Sequence, residues 1–232
     1  MSTDNAAMAG RFTLTNRHGQ RIVGLLDYPP GDTPVARTIV LCHGYGGDKD
    51  GRYLRQIAAT LMADGVAVVR FDFTNGAGES DGDLSGASVS GYADDLDDVL
   101  DYLREQPRLR QSASAIGGHS YAGMVVLVVA AHRLEIAAVF FLSAVFDRTK
   151  EFDMAAVARQ ITAPIVIIGA GADREVAATQ ADALARVAGP TIRAHLTVPG
   201  ADHNFTAPGT ARQLAEMIRD TLPPAPPTTS ND

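Results

Sequence analysis

Residues 112–126 read SASAIGGHSYAGMVV, and the fold turns on how that stretch is divided. SAIGG (Ser114–Gly118) has the small and β-branched character of a strand. An apolar helix-like run follows from Gly123, and Ser120 stands between the two. A serine on a sharp strand-to-helix turn is exposed for attack, and the turn tolerates only small residues two places before and two places after it. Gly118 meets that demand. Ala122 stands where the motif has glycine, with Gly123 one place later. The alternative reading is a glycine-rich strand end with a serine that merely caps a helix.

Working outward, short apolar runs rich in β-branched residues recur: Thr38–Cys42, Val66–Phe73, Ala137–Ser143, Pro164–Gly169 and Ile192–Val198. Runs of this kind fit strands buried on both faces of a parallel sheet. Arg11–Thr15 and Arg21–Asp27 alternate apolar and polar residues around His18-Gly19, which predicts an edge hairpin. Helical spacing fills the gaps, with stripes at Leu54, Ile57, Ala58, Leu61 and Met62 and at Leu96, Val99, Leu100 and Leu103. A weaker stripe runs through Val176, Gln180, Leu184 and Val187, and another through Leu214, Met217 and Ile218. Strands alternating with helices predict right-handed crossovers and a doubly wound α/β sheet with helices on both faces. One domain over 11–222 is expected, between flexible ends at 1–10 and 223–232, the latter rich in proline.

A serine hydroxyl is a weak nucleophile at neutral pH, so Ser120 needs a base, and the base needs an orienting carboxylate. Strand-to-helix elbows of this kind take them in the chain order serine, acid, histidine. Asp173 falls just past the Pro164–Gly169 strand and His203 just past the last one, at carboxyl ends where open parallel sheets build their sites. Asp147, after the preceding strand, is the rival acid. Asp202 is too close along the chain to orient its neighbour. His195 sits within the last strand pattern, His18 in the hairpin and His132 at a helix end, while His119 is expected to pack rather than react. The negative charge that develops during acyl transfer calls for two preorganised N–H donors. Tyr121 N–H, first after Ser120, and Tyr45 N–H, in the glycine-rich HGYGG loop at 43–47, are the candidates.

The chain has 46% apolar and 20% charged residues and a net charge of −7. That balance argues against a basic nucleic-acid-binding or anionic-membrane-binding face and fits a folded core. A single cysteine excludes an intramolecular disulfide framework, and Cys42 reads as a core residue. The start, MSTDNAAMAGR, lacks the basic and apolar regions of a signal peptide, so a cytoplasmic location is expected.

HGYGGDKD, VVRFDFTNGAGESDG, GHSYAG, GADREV and GADHNF together resemble the α/β-hydrolases over about Arg11 to Leu222. The Arg70–Gly82 loop in particular is similar to small bacterial serine esterases of the cinnamoyl/feruloyl-esterase and dienelactone-hydrolase-like groups. The resemblance implies Ser120 as nucleophile, His203 as base, Asp173 as acid, Tyr45 and Tyr121 N–H groups as the oxyanion hole, and neither metal nor cofactor. The resemblance carries fold and mechanism more than substrate; the expected function is hydrolysis of a small-molecule carboxylic ester of small or medium acyl size through an acyl-enzyme on Ser120. Thioester, lactone or peptide cleavage, or a non-hydrolytic member of the fold, remain the alternatives. Only Asp147 to Ala163 is available as a cap, with a short helix expected over Glu151–Gln160. Phe146, Phe152, Met154 and Phe205 are candidates to line the pocket, with ordinary packing as the other reading.

Overall fold

The computed structural model describes residues 9–225. One eight-stranded sheet runs through it in the order β1-β2-β4-β3-β5-β6-β7-β8. The strands are β1 (Ala9–Thr15), β2 (Arg21–Asp27), β3 (Arg37–Cys42), β4 (Ala67–Asp72), β5 (Ala113–His119), β6 (Ala138–Leu142), β7 (Ile165–Ala170) and β8 (Ile192–Val198). β2 runs antiparallel to both β1 and β4, and every pairing from β4 to β8 is parallel. The hairpin and the parallel sheet are therefore where the residue patterns put them. Of the ends expected to be flexible, 1–8 and 226–232 lie outside the described residues, and β1 already begins at Ala9.

The unbroken apolar runs follow from burial on both faces. In β3, Val40 and Cys42 pack on one side with α2 (Val89–Arg104), α3 (Ala122–Ala130), α4 (Met154–Gln160) and α5 (Thr179–Ala188). Ile39 and Leu41 pack on the other side with α1 (Arg52–Ala63) and α6 (Thr210–Thr221). α3 lies so deep that every one of its residues is buried, which explains an apolar surface all round it. β8 keeps neighbours only at β7, and its residues alternate between exposed and half-buried along most of its length, leaving His195 exposed. The weak stripe of α5 has a plain cause. The helix starts at Thr179, beyond Val176, and Gln180 turns away to accept the N–H groups of Phe146 and Asp147. Among the described residues no helix is long and apolar enough to cross a membrane.

The segment between β6 and β7 holds only the seven-residue α4. It starts three residues later than the spacing predicts because Asp153 caps it, accepting the N–H groups of Ala155 and Ala156. Glu151 instead reaches the first turn of α2, where its carboxylate accepts the Val89 and Ser90 N–H groups at 2.9 Å each. A carboxylate at a helix N-terminus is favourable there, and it pins the segment down.

A buried polar tie holds the loops at the carboxyl ends of β3 and β4. Asp72 is fully buried and accepts the Lys49 N–H, the Lys49 ammonium and the Glu79 N–H, at 2.7, 3.1 and 2.8 Å. A Cβ on Gly78 would fall 2.1 Å from the Asp72 carboxyl carbon, so the second loop closes over the first only with glycine there. Arg70 pairs with Asp27 at 2.7 Å and donates to the Lys49 carbonyl at 2.6 Å. Burial alone would push the Lys49 ammonium down, but hydrogen bonds to Glu79, Asp50 and Asp72 outweigh it and hold the charge.

Candidate active site

β5 runs directly into α3 through Ser120, whose φ of 53° lies in the left-handed region. Sterics demand the sharp turn. A Cβ on Gly118 would meet the Ala122 carbonyl oxygen at 2.2 Å, and one on Gly123 would meet the Ala144 methyl at 2.4 Å. Ala122 itself is fully buried, so the glycine the motif loses at that position is supplied one residue on. The Ser120 backbone is gripped from the end of β6 and the loop after it: its N–H donates to the Leu142 carbonyl at 3.2 Å, and its own carbonyl accepts the Val145 N–H at 3.0 Å. Such surroundings are what keep a strained backbone in place.

His203 follows β8 and Asp173 follows β7, and both side chains swing to the elbow. His203 Nε2 lies 3.0 Å from Ser120 Oγ, and His203 Nδ1 lies 2.8 Å from Asp173 Oδ2. Both are nearly closed to solvent. With Nδ1–H donating to the carboxylate, Nε2 presents a lone pair to the hydroxyl. Burial pushes the Asp173 carboxyl up, but hydrogen bonds from Ser143, the Val176 N–H, His203 and the Glu175 N–H prevail and hold it below its ordinary value. Asp147 is exposed and its backbone is tied to Gln180, so the rival acid takes no part in this cluster.

The HGYGG loop crosses close to the elbow, since a Cβ on Gly44 would stand 2.9 Å from Ser120 Cβ. His43 fixes the loop from beneath: Nδ1–H donates to the Gly44 carbonyl at 2.8 Å and Nε2 accepts the Phe73 N–H at 3.2 Å. Neither the Tyr45 nor the Tyr121 N–H takes part in the turn and loop hydrogen bonds among the described residues. Their rings meet edge to face at 5.9 Å, with Tyr45 59% exposed.

A cavity of about 230 Å³ opens on Ser120 and His203. Gly44, Gly47 and Gly51 form part of its wall, with Tyr45, Asp48, Tyr53, His119, Glu175 and Asn204 completing it. Phe146, Phe152, Met154 and Phe205 do not line it. Phe146 and Met154 are buried in the core beneath α2 to α5, Phe152 packs partly buried against the same core, and Phe205 is buried on the α1/α6 face. These four side chains are drawn into the cores on the two faces of the sheet rather than into the pocket, which is left without an aliphatic wall. Tyr53, Glu175, Asp48 and Asn204 gave no sequence signal beyond their nearness to the motifs. Among the described residues no three His, Cys, Asp or Glu side chains are grouped to hold a metal.

His119 does pack, and it also lines the cavity. Its Nε2–H donates to the His203 carbonyl at 2.8 Å, and its Nδ1 lies 3.1 Å from the Tyr53 hydroxyl. Burial foremost, with the neighbouring His203, pushes its pKa down to about 4. The unfolded chain therefore binds this proton first as pH falls. The stability at stake is intact above about 6.5 and lost between there and 4, on the order of 3 kcal/mol in full. Thermal melts from pH 7.5 to 4.5 are expected to show a smaller loss of Tm in His119→Gln than in the wild type. Parallel declines would mean that this imidazole is not the group that titrates.

A serine bonded to a histidine at a strand-to-helix elbow, on a mostly parallel sheet wrapped by helices, defines an α/β serine hydrolase. Residues 33–159, more than half of the chain, match the sequence profile of the serine aminopeptidase S33 family, and the chain belongs to that family. Solved structures share the fold. The Est1E protein of Butyrivibrio proteoclasticus, with ferulic acid bound, superposes with a TM-score of 0.76 at 19% identity over 92% of this chain and 97% of its own. A lidless serine hydrolase from Xanthomonas campestris gives 0.75 at 22% identity, covering 97% and 99%. The dienelactone hydrolase of Anabaena variabilis gives 0.72 at 20%, covering 93% and 99%. A Mycobacterium tuberculosis protein named for a phosphoribosyl transferase activity is 28% identical over 185 residues, 78% of this chain. The chain spans only 40% of that protein's length.

Proposed function

We propose that the protein hydrolyses carboxylic esters with small or medium acyl groups, through an acyl-enzyme on Ser120 and without a cofactor. The observation that carries the reading is the unbroken run of hydrogen bonds from Ser120 Oγ through His203 to Asp173, opening on a cavity. His203 takes the hydroxyl proton as Ser120 attacks the carbonyl, then returns it to the leaving alcohol, and Asp173 holds the imidazole in the tautomer this requires. The Tyr45 and Tyr121 N–H groups supply the oxyanion hole. Water activated by His203 then releases the acid. A fluorophosphonate probe tests the assignment. It should add one adduct, located at Ser120 by peptide mass, and no adduct there would end the proposal.

The small polar cavity and the seven-residue α4 limit the acyl chain. No aliphatic side chain lines the cavity, so few methylenes are buried, each worth about 0.8 kcal/mol or close to fourfold in binding. Acetyl to hexanoyl p-nitrophenyl esters are expected to exceed dodecanoyl and longer ones in kcat/KM. A steady rise out to palmitoyl would require an apolar tunnel. The family's description as serine aminopeptidases favours amide cleavage as a second reading. Aminoacyl p-nitroanilides in the same panel separate the two.

A further inference from the structure

We propose that Ser143 is a positioning residue of the reaction, fixing the Asp173 carboxylate toward His203 in register with the backbone of Ser120. The inference rests on the assignment of Ser120, His203 and Asp173 given above.

Ser143 directly follows β6, and its φ of 42° puts it, like Ser120, in the left-handed region that non-glycine residues rarely adopt. It is buried, and its N–H donates to the Ile168 carbonyl of β7 at 2.8 Å. From there its hydroxyl donates to Asp173 Oδ2, the oxygen that also accepts His203 Nδ1–H. The other carboxylate oxygen, Oδ1, accepts the N–H groups of Glu175 and Val176 at 2.8 and 2.9 Å. The acid thus has four donors: two from its own loop, His203 from the end of β8, and Ser143 from the end of β6. The residues on either side of Ser143 hold the nucleophile, through the Leu142 carbonyl and the Val145 N–H. Residues 142–145 therefore join the peptide of Ser120 to the carboxylate of Asp173.

Losing the Ser143 hydroxyl has two consequences. The carboxylate loses one of its fixed points, so the imidazole is less well aimed. The charge on Oδ2, no longer shared with a hydroxyl, is felt more strongly by His203, and the imidazolium is better stabilised. The pH at which His203 becomes an active base then rises. The other charged or titratable groups about His203 and Asp173 stay in place. They are Glu175, with Oε2 4.0 Å from His203 Nε2; Asp202, bonded to Thr206; Arg174, which lines a further cavity with His203; Asp48 and Tyr53 on the wall of the active-site cavity; the His119 ring, tilted 42° against that of His203; and His195, across a cavity of about 240 Å³ beside Asp173.

The test compares wild type, Ser143→Ala and Ser143→Gly on p-nitrophenyl acetate from pH 5 to 9. Alanine keeps the backbone strain and glycine relieves it, while both lack the donor, so strain and hydroxyl are separated. In both variants kcat should fall roughly 3- to 30-fold with KM changing less than about threefold, and the acid limb should move up by about 0.5 pH. A limb within about 0.1 pH of wild type in a folded variant, or one that moves down, would overturn the inference even if kcat had fallen. If the wild type neither hydrolyses the ester nor labels at Ser120, the assignment beneath fails first and the inference falls with it.

Discussion

Ser120→Ala is expected to lower kcat on p-nitrophenyl acetate by at least about 10⁴-fold, to the level left by binding and the oxyanion donors alone. The hydroxyl is the only group at the elbow placed to attack, 3.0 Å from the imidazole nitrogen that would take its proton. His203→Ala should cost about as much, and the double variant little more, because nucleophile and base act in one step. The fold should survive. Alanine meets the same backbone strain at φ 53° as serine does, and the bonds that grip residue 120 from Leu142 and Val145 are main-chain bonds. Initial rates with matched thermal melts decide the matter. A folded Ser120→Ala protein turning over near the wild-type rate would refute the mechanism.

Asp173→Asn should cost on the order of 10²–10⁴ in kcat, and the geometry says why so small a change is so damaging. Two backbone N–H groups, from Glu175 and Val176, fix an oxygen at the Oδ1 position. The asparagine amide nitrogen is therefore forced to the Oδ2 side, where the Ser143 hydroxyl can turn to accept from it but His203 Nδ1–H can only confront it as a second donor. Relief comes only if the imidazole moves its proton to Nε2, and then it can no longer accept from Ser120. Asp147→Asn, at an exposed position whose backbone is bonded to Gln180, should stay within about twofold of wild type. The opposite ranking, measured on the same ester, would move the acid to the end of β6.

The alternation of strands and helices was legible because parallel strands buried on both faces leave continuous apolar runs, as at Thr38–Cys42. Ser120, Asp173 and His203 were legible because strand ends are marked by the glycines and polar residues that follow them. The strand order, with β4 set between β2 and β3, was not, since crossovers leave no local trace. Phe146, Phe152, Met154 and Phe205 were misplaced for a related reason. An apolar side chain in a loop faces whichever core the tertiary fold brings within reach, and periodicity says nothing about that. Ser143 was invisible too: a serine after a strand is commonplace, and its meaning appears only when the ends of β6 and β7 stand side by side.

Asp72 has a consequence for any attempt to give this scaffold a new specificity by exchanging loops. The segments after β3 and β4 meet on this one carboxylate, which holds the peptides of Lys49 and Glu79 and shares the Lys49 ammonium with Asp50 and Glu79. A donor segment for 43–51 that lacks the lysine would strand a buried negative charge, and one for 73–82 that lacks Gly78 would collide with it. Neither segment is an independent module. The unit that can be transplanted is the pair, carried together with the aspartate that joins them.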